Sequence, residues 1–264
     1  MELEVQLRRD VGVVLLFERQ RDAEADGTTA GFVRAAAFPD FEREVLRAKK
    51  SINVQVYIFD NDDVGARCAD LLKSRADRLS AHVLFDDMGT TFSHTAAPTT
   101  PGPLGFKPPG DIEDYLRDGS KVKVRRTLNP WLVSDHTKLI TFDEQRAYVG
   151  GMNLGREYRS EWHDLMARVA GPIVRSLDRE FNRAWRKAGP WGDFALLRKP
   201  IHSSLENHGS GPQLRLLRTD PSEGRYDVLD AIKLAIRASR KRKQRYRVGD
   251  RLENHRELRR CRLQ

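Results

Sequence analysis

A mixed α/β fold, with one complete lobe of sheet flanked by helices and the start of a second, is what this sequence predicts. Strand-like runs alternate with helical stripes from Phe38 onward, and a similar pattern begins again after residue 212. The 264 residues, 39% of them hydrophobic, suffice to build a real core.

In chain order, residues 1–30 are charged and weakly patterned and are expected to form a poorly ordered leading segment. Residues 31–188 carry the main lobe. Phe41, Val45 and Leu46 make a short apolar helical stripe. Ser51 to Phe59 then alternates as a strand does, with Ile52, Val54, Val56 and Ile58 on one face. Asp60 to Asp63 reads as a turn, followed by a helix through Cys68, Leu71 and Leu72. A strand from His82 to Phe85 runs into an acidic turn of Asp86, Asp87, Met88 and Gly89. Between Thr95 and Gly110, five prolines and three glycines exclude regular structure and predict a surface loop; beside an active site it would shape substrate access.

The spacing next predicts a helix over Ile112 to Arg117 and strands over Lys121 to Arg126, Ser134 to Phe142, Arg146 to Val149 and Trp162 to Val169. A long amphipathic helix, Pro172 to Lys187, closes the lobe, with proline in its first turn and Ile173, Leu177, Phe181 and Ala184 on one face. Residues 189–212 read as a linker, and residues 213–264 as an incomplete second lobe with a basic tail. Laying Leu46–Asp60 over Ile236–Asp250 matches Arg47 with Arg237, Ala48 with Ala238 and Asp60 with Asp250. The apolar Ile52, Val54 and Val56 then face Arg242, Gln244 and Tyr246, so the buried strand is lost, as truncation or a frame change would produce.

Charge and cysteine usage narrow the function classes. The net charge is +9, but from Ser239 to Gln264 eleven Lys or Arg stand against three acids, so nearly all of the surplus lies in the tail. Such a run can track nucleic acid or anionic lipid, and equally can be solvated, so the charge by itself does not argue for nucleic acid. No run approaches the roughly 18 apolar residues of a membrane span, and the start lacks a secretory signal pattern. With Cys68 and Cys261 far apart and no metal-ligand spacing, free thiols and a cytoplasmic location are expected.

The chemistry concentrates in His136 to Asn153, HTKLITFDEQRAYVGGMN. On a strand, residues two apart share a face, so His136 and Lys138 are expected to project into one pocket. That pairing suits a phosphate: an imidazole attacks phosphorus while an ammonium neutralises the non-bridging oxygens. Gly150 and Gly151 allow a close backbone turn, and Asn153 offers an amide donor.

These residues resemble the HKD motif of the phospholipase D superfamily, HxKx4Dx6G(G/S)xN, matched by His136, Lys138, Asp143, Gly150, Gly151 and Asn153. Six fixed positions coincide by chance roughly once in 10^7 to 10^8 start sites. The flanking YIFDND, FDDMGT, VGGMNLG and EWHDL are similar to bacterial cardiolipin synthases, and the resemblance spans about Phe38 to Leu217.

The resemblance implies that His136 is the nucleophile forming a phosphohistidine, that Lys138, Gly151 and Asn153 bind the phosphate, and that Asp143 supports the motif structurally. It further implies that Asp164 holds the second ring nitrogen of His136, with no cofactor or metal. The implied function is a phosphatidyltransferase or phosphodiesterase acting on phospholipid such as phosphatidylglycerol, with peripheral contact to the inner membrane.

Members of the superfamily use two facing motifs, and this sequence holds one, so a homodimer would supply the second. A dimeric single-motif nuclease and an inactive fragment are the competing readings. Elsewhere the plainer reading prevails. His163 faces away from Asp164, His82, His94, His202, His208 and His255 lack partner spacing, and Asp86 with Asp87 stabilises a turn rather than a cation. Trp131, Trp162, Trp185 and Trp191 serve packing.

Overall fold

The computed structural model of the chain describes residues 12–18, 29–33, 37–95, 101–128, 134–160, 164–189 and 213–241. Its strands are β1 (Gly12–Glu18), β2 (Thr29–Val33), β3 (Ser51–Val56), β4 (Ser80–Asp86), β5 (Lys123–Thr127), β6 (Leu139–Phe142), β7 (Arg146–Gly150), β8 (Met166–Ala170), β9 (Gln213–Asp220) and β10 (Arg225–Tyr226). The helices are α1 (Ala37–Arg47), α2 (Asp63–Arg75), α3 (Asp87–Thr95), α4 (Ile112–Arg117), α5 (Arg156–Ser160), α6 (Ile173–Lys187) and α7 (Asp227–Lys241).

Seven strands form one mixed sheet in the order β2-β8-β7-β6-β3-β4-β5. The β3–β4 and β4–β5 pairs are parallel, each joined through a helical crossover, and the other pairs are antiparallel. This is the mixed α/β sheet flanked by helices that the alternation predicts.

Both faces of β3 are buried, so its alternation sorts two kinds of interior rather than core from solvent. Ile52, Val54 and Val56 join Phe41 and Val45 of α1 and Leu72 of α2 in the larger core. On the other face Asn53 donates to Asp178 of α6 at 2.7 Å, and Thr141 of β6 donates to the same carboxylate oxygen at 2.8 Å. Helix α6 can therefore bury an acid among Val174, Leu177 and Phe181, because that acid's hydrogen bonds are satisfied by the sheet.

Several expectations need correction. The turn foreseen at Asp86 to Gly89 is the start of α3: Asp86 caps it by accepting from the Gly89 N–H at 2.8 Å. The strand foreseen over Ser134 to Phe142 is regular only from Leu139, because the Thr137 N–H turns back to the Asp135 carboxylate at 3.2 Å instead of entering a ladder. The strand foreseen from Trp162 begins at Met166, which leaves Asp164 just before it. β3 ends at Val56, so Ile58 lies beyond it. The strand foreseen from Lys121 starts at Lys123.

The leading segment, expected to be poorly ordered, contributes β1, which pairs antiparallel with β9 from Gly12↔Thr219 to Glu18↔Gln213. With β10 these strands make a second, three-stranded sheet. The linker beyond Gly189, the tail after Lys241, Trp131, Trp162, Trp191, His163, His202, His208, His255 and Cys261 lie outside the described residues.

Candidate active site

The strand directions bring most of the motif, though not Asp143, to one edge of the sheet. The C-terminal ends of the parallel β3, β4 and β5 lie at the same edge as the start of β6, since Gln55 pairs with Leu139. The end of β7 and the start of β8 join them through the Gly150↔Met166 pair. His136, Lys138, Asn153 and Asp164 all belong to segments that enter or leave this edge, a common location for sites in α/β sheets.

His136 is exposed and Lys138 is 3% exposed, yet the two converge. Lys138 Nζ donates to the His136 carbonyl at 2.9 Å. The His136 ring lies 4.5 Å from the Tyr57 ring, centroid to centroid, and Lys138 Nζ lies 5.0 Å from the same centroid. The pair sits side by side as expected, though on an irregular segment rather than on a strand.

That segment is anchored by two acids that the motif does not include. The Asp135 N–H donates to Asp86 at 2.9 Å, and the Asp135 carboxylate accepts from Gln55 Nε2 at 2.8 Å. Burial pushes the Asp135 carboxyl above its ordinary pKa and the nearby Asp86 charge adds to this, against the opposing hydrogen bonds from Thr137 and Gln55. Sequence spacing offered no signal for Asp135, because its partners come from β3 and β4.

Asn153 is buried beneath the pair. Its Oδ1 accepts from the N–H groups of Tyr57 at 3.1 Å and Ile58 at 3.0 Å, which fixes the direction of the amide. Its side chain also bonds the Tyr158 hydroxyl of α5. Asn153 thus stitches the end of β3 to the segment after β7, where Phe59 and Leu154 form a parallel bridge.

Gly151 packs against Asp164. Its N–H is committed to the Leu165 carbonyl at 3.0 Å, and a Cβ there would stand 2.9 Å from Asp164 Oδ1. The glycine supplies room for Asp164. Gly150 is tighter still, with a Cβ falling 2.1 Å from the Leu165 carbonyl oxygen.

Asp143 lies at the opposite end of β6 from Lys138, roughly 15 Å away at strand rise. Its carboxylate accepts from the N–H groups of Lys49, Lys50 at 2.7 Å and Ser51 at 3.0 Å. Burial acts to raise its pKa, but those three N–H groups outweigh it and hold the carboxyl below its ordinary value. Its positive φ of 55° is a conformation that Asp tolerates better than most residues.

The Gly/Pro-rich loop packs against Asn61 and Arg156. Its described part, residues 101–110, has no regular structure. The Pro109 carbonyl accepts from Asn61 Nδ2 at 2.8 Å, and a Cβ on Gly102 would stand 3.0 Å from the Arg156 guanidinium. Arg126 fastens the loop's far end, joining Asp111 at 2.5 Å, Asp87 at 3.0 Å and Glu113.

The acids Asp86 and Asp87 serve capping and ion pairing, and no cluster of metal-binding side chains occurs among the described residues. His82 donates from Nδ1 to Asn53 Oδ1 at 3.0 Å, and its ring sits against Trp185, whose expected role was packing. Cys68 is a buried free thiol. No helix of the described residues is long and apolar enough to cross a membrane.

Comparison with known proteins gives a consistent picture. The family described as "Cardiolipin synthase, PLD-like domain" matches residues 42–185. Cardiolipin synthase A of Pseudomonas syringae is 31% identical over 155 residues, covering 53% of this chain and 29% of that protein. The cardiolipin synthase of Oceanobacillus iheyensis is 30% identical over 178 residues, covering 65% and 35%. The chain thus spans about a third of the length of these relatives. Among solved structures, NucT from Helicobacter pylori aligns with a TM-score of 0.45 at 11% identity, over 60% of this chain and 94% of that one. Phosphatidylserine synthase of Haemophilus influenzae aligns with 0.46 at 15% identity, over 71% and 40%.

Proposed function

The chain belongs to the phospholipase D-like family whose domain spans residues 42–185, and we propose that it transfers phosphatidyl groups through a covalent histidine intermediate, as a cardiolipin synthase-like enzyme. The observation that carries this reading is the convergence of the His136 ring and the Lys138 ammonium on Tyr57 at one sheet edge.

In the first step a ring nitrogen of His136 attacks the phosphorus of a phospholipid such as phosphatidylglycerol. The P–N bond forms as the P–O bond to the headgroup alcohol breaks. Lys138 carries positive charge toward the non-bridging oxygens as negative charge accumulates there, and a partly buried ammonium does this more strongly than one in water. Asp164, seated over Gly151, holds the other ring nitrogen so that the attacking one is unprotonated. In the second step an alcohol attacks phosphorus, the P–N bond breaks, and the histidine is restored. Water as acceptor would release phosphatidic acid instead.

The departing alkoxide needs a proton, and the acceptor alcohol must lose one. A second copy of the chain supplies that acid and base through its own His136, so the working species is a homodimer at the surface of a phospholipid membrane. Purified chain incubated with phosphatidylglycerol vesicles should release glycerol and form cardiolipin, with His136→Ala inactive. Equal turnover by wild type and His136→Ala would sink the proposal.

A further inference from the structure

Tyr57 stands outside the motif, yet the site is assembled around it. Its ring contacts the His136 ring at 4.5 Å with the planes tilted by 55°, and the Lys138 ammonium at 5.0 Å. Its N–H donates to Asn153, and its carbonyl accepts from the Thr90 hydroxyl at 3.3 Å. The ring is also held against Gly89 at the start of α3: a Cβ there would come within 2.6 Å of Tyr57 Cε2 and Cζ. Three segments of chain, after β3, at α3 and before β6, thus meet on one aromatic ring. The face of such a ring attracts cations and polarised C–H or N–H edges, so it can hold an ammonium and an imidazole at a fixed separation without competing for the phosphate.

We propose that Tyr57 is a positioning residue of the phosphoryl-transfer site: its ring, seated by Gly89, is the platform that sets His136 and Lys138 in register. The inference rests on the function proposed above for its catalytic consequence, but the ring contact itself is testable without turnover. The role is assigned to the ring, because His136 and Lys138 both meet Tyr57 at the ring itself. Gly89 has a role by the same geometry, since a Cβ there would overlap the ring and displace it from its seat. This accounts for a glycine inside a helix, where it is otherwise unfavourable.

The test uses the full chain with isotope-labelled histidine, and His136→Ala to assign the His136 ring signals by NMR. Wild type and Tyr57→Phe should share an upfield ring-current shift of the His136 signals. Tyr57→Leu and Gly89→Ala should each reduce or abolish it, with thermal melts showing all four chains folded. In vesicle turnover, Tyr57→Phe should stay within about twofold of wild type, while Tyr57→Leu loses on the order of tenfold or more in kcat at little change in KM. His136 signals unmoved by Tyr57→Leu, or a Tyr57→Phe defect as large as that of Tyr57→Leu, would overturn the platform. If wild type shows the ring-current shift but no turnover, the proposed function fails while the platform stands.

Discussion

The carboxylate of Asp164 rests on Gly151, so close that a methyl group on that glycine would stand 2.9 Å from Oδ1. A side-chain carboxylate can rotate away, whereas the backbone carbonyl 2.1 Å from a Cβ on the adjacent Gly150 cannot. Gly151→Ala is therefore expected to remain folded and lose about 10- to 100-fold in turnover as Asp164 is displaced from the ring nitrogen of His136 that it is proposed to hold. Gly150→Ala is expected to cost stability first. Melting curves of the two variants beside their turnover would separate the effects; equal destabilisation would contradict this assignment.

Lys138 donates to the His136 carbonyl, and in the proposed mechanism it also meets the phosphate charge. Lys138→Met keeps much of the buried stem but removes the donor to the His136 carbonyl and the positive charge. Turnover should fall by about 10^2-fold or more. Lys138→Arg should not restore it, because the planar guanidinium fits neither the ring nor the carbonyl in the same geometry. Full activity of either variant would remove Lys138 from the mechanism.

Asp143 is expected to act on stability and not on chemistry. Its depressed pKa means that its stabilisation is fully present above the ordinary carboxyl range and is lost as pH falls through its folded value. Asp143→Asn, which retains an acceptor and tolerates the positive φ, should lower stability at pH 7 by about 1 kcal/mol, with allowance for solvent screening of this partly exposed group. The difference should shrink below about pH 4. Denaturant melts across this range check the sign, and a difference that grows in acid would contradict it.

Asp135 runs the other way. Its carboxyl is raised by burial and by Asp86, so the stability it contributes is present below its unfolded pKa and is lost as pH rises through the folded one. Asp135→Asn can keep the contact to Gln55 by rotation of the Gln55 amide, and needs no buried charge. The variant should therefore gain stability over wild type as pH rises from 4 toward 8. A variant that is instead least stable at high pH would show that the ionised carboxylate is favoured there.

The parts of the fold that were legible are those written in local sequence. Ile112–Arg117 begins at Asp111, whose side chain caps the Glu113 and Asp114 N–H groups, and α6 follows its apolar spacing from Ile173. His136, Lys138 and Asn153 are legible as candidate site residues because their spacing is itself the signal. Helix α3 was missed because Gly89, Thr90, Thr91 and Ser93 are poor helix formers; tertiary bonds hold it, from Thr90 to Phe59 and from Ser93 to Asp60. β1 was missed because its partner is β9, about 200 residues away, and no local pattern reports such a pairing. The contacts of Tyr57 and the role of Asp135 were not legible for the same reason: what they touch is remote in sequence.

The central claim is that His136 forms a covalent bond to phosphorus. Intact-mass and peptide analysis after rapid quenching with phosphatidylglycerol vesicles, at alkaline pH to preserve a P–N bond, tests it most directly. Wild type should carry a phosphatidyl adduct on the peptide containing His136, and His136→Ala should carry none. Turnover without any adduct at His136, or the same adduct in His136→Ala, would contradict the account.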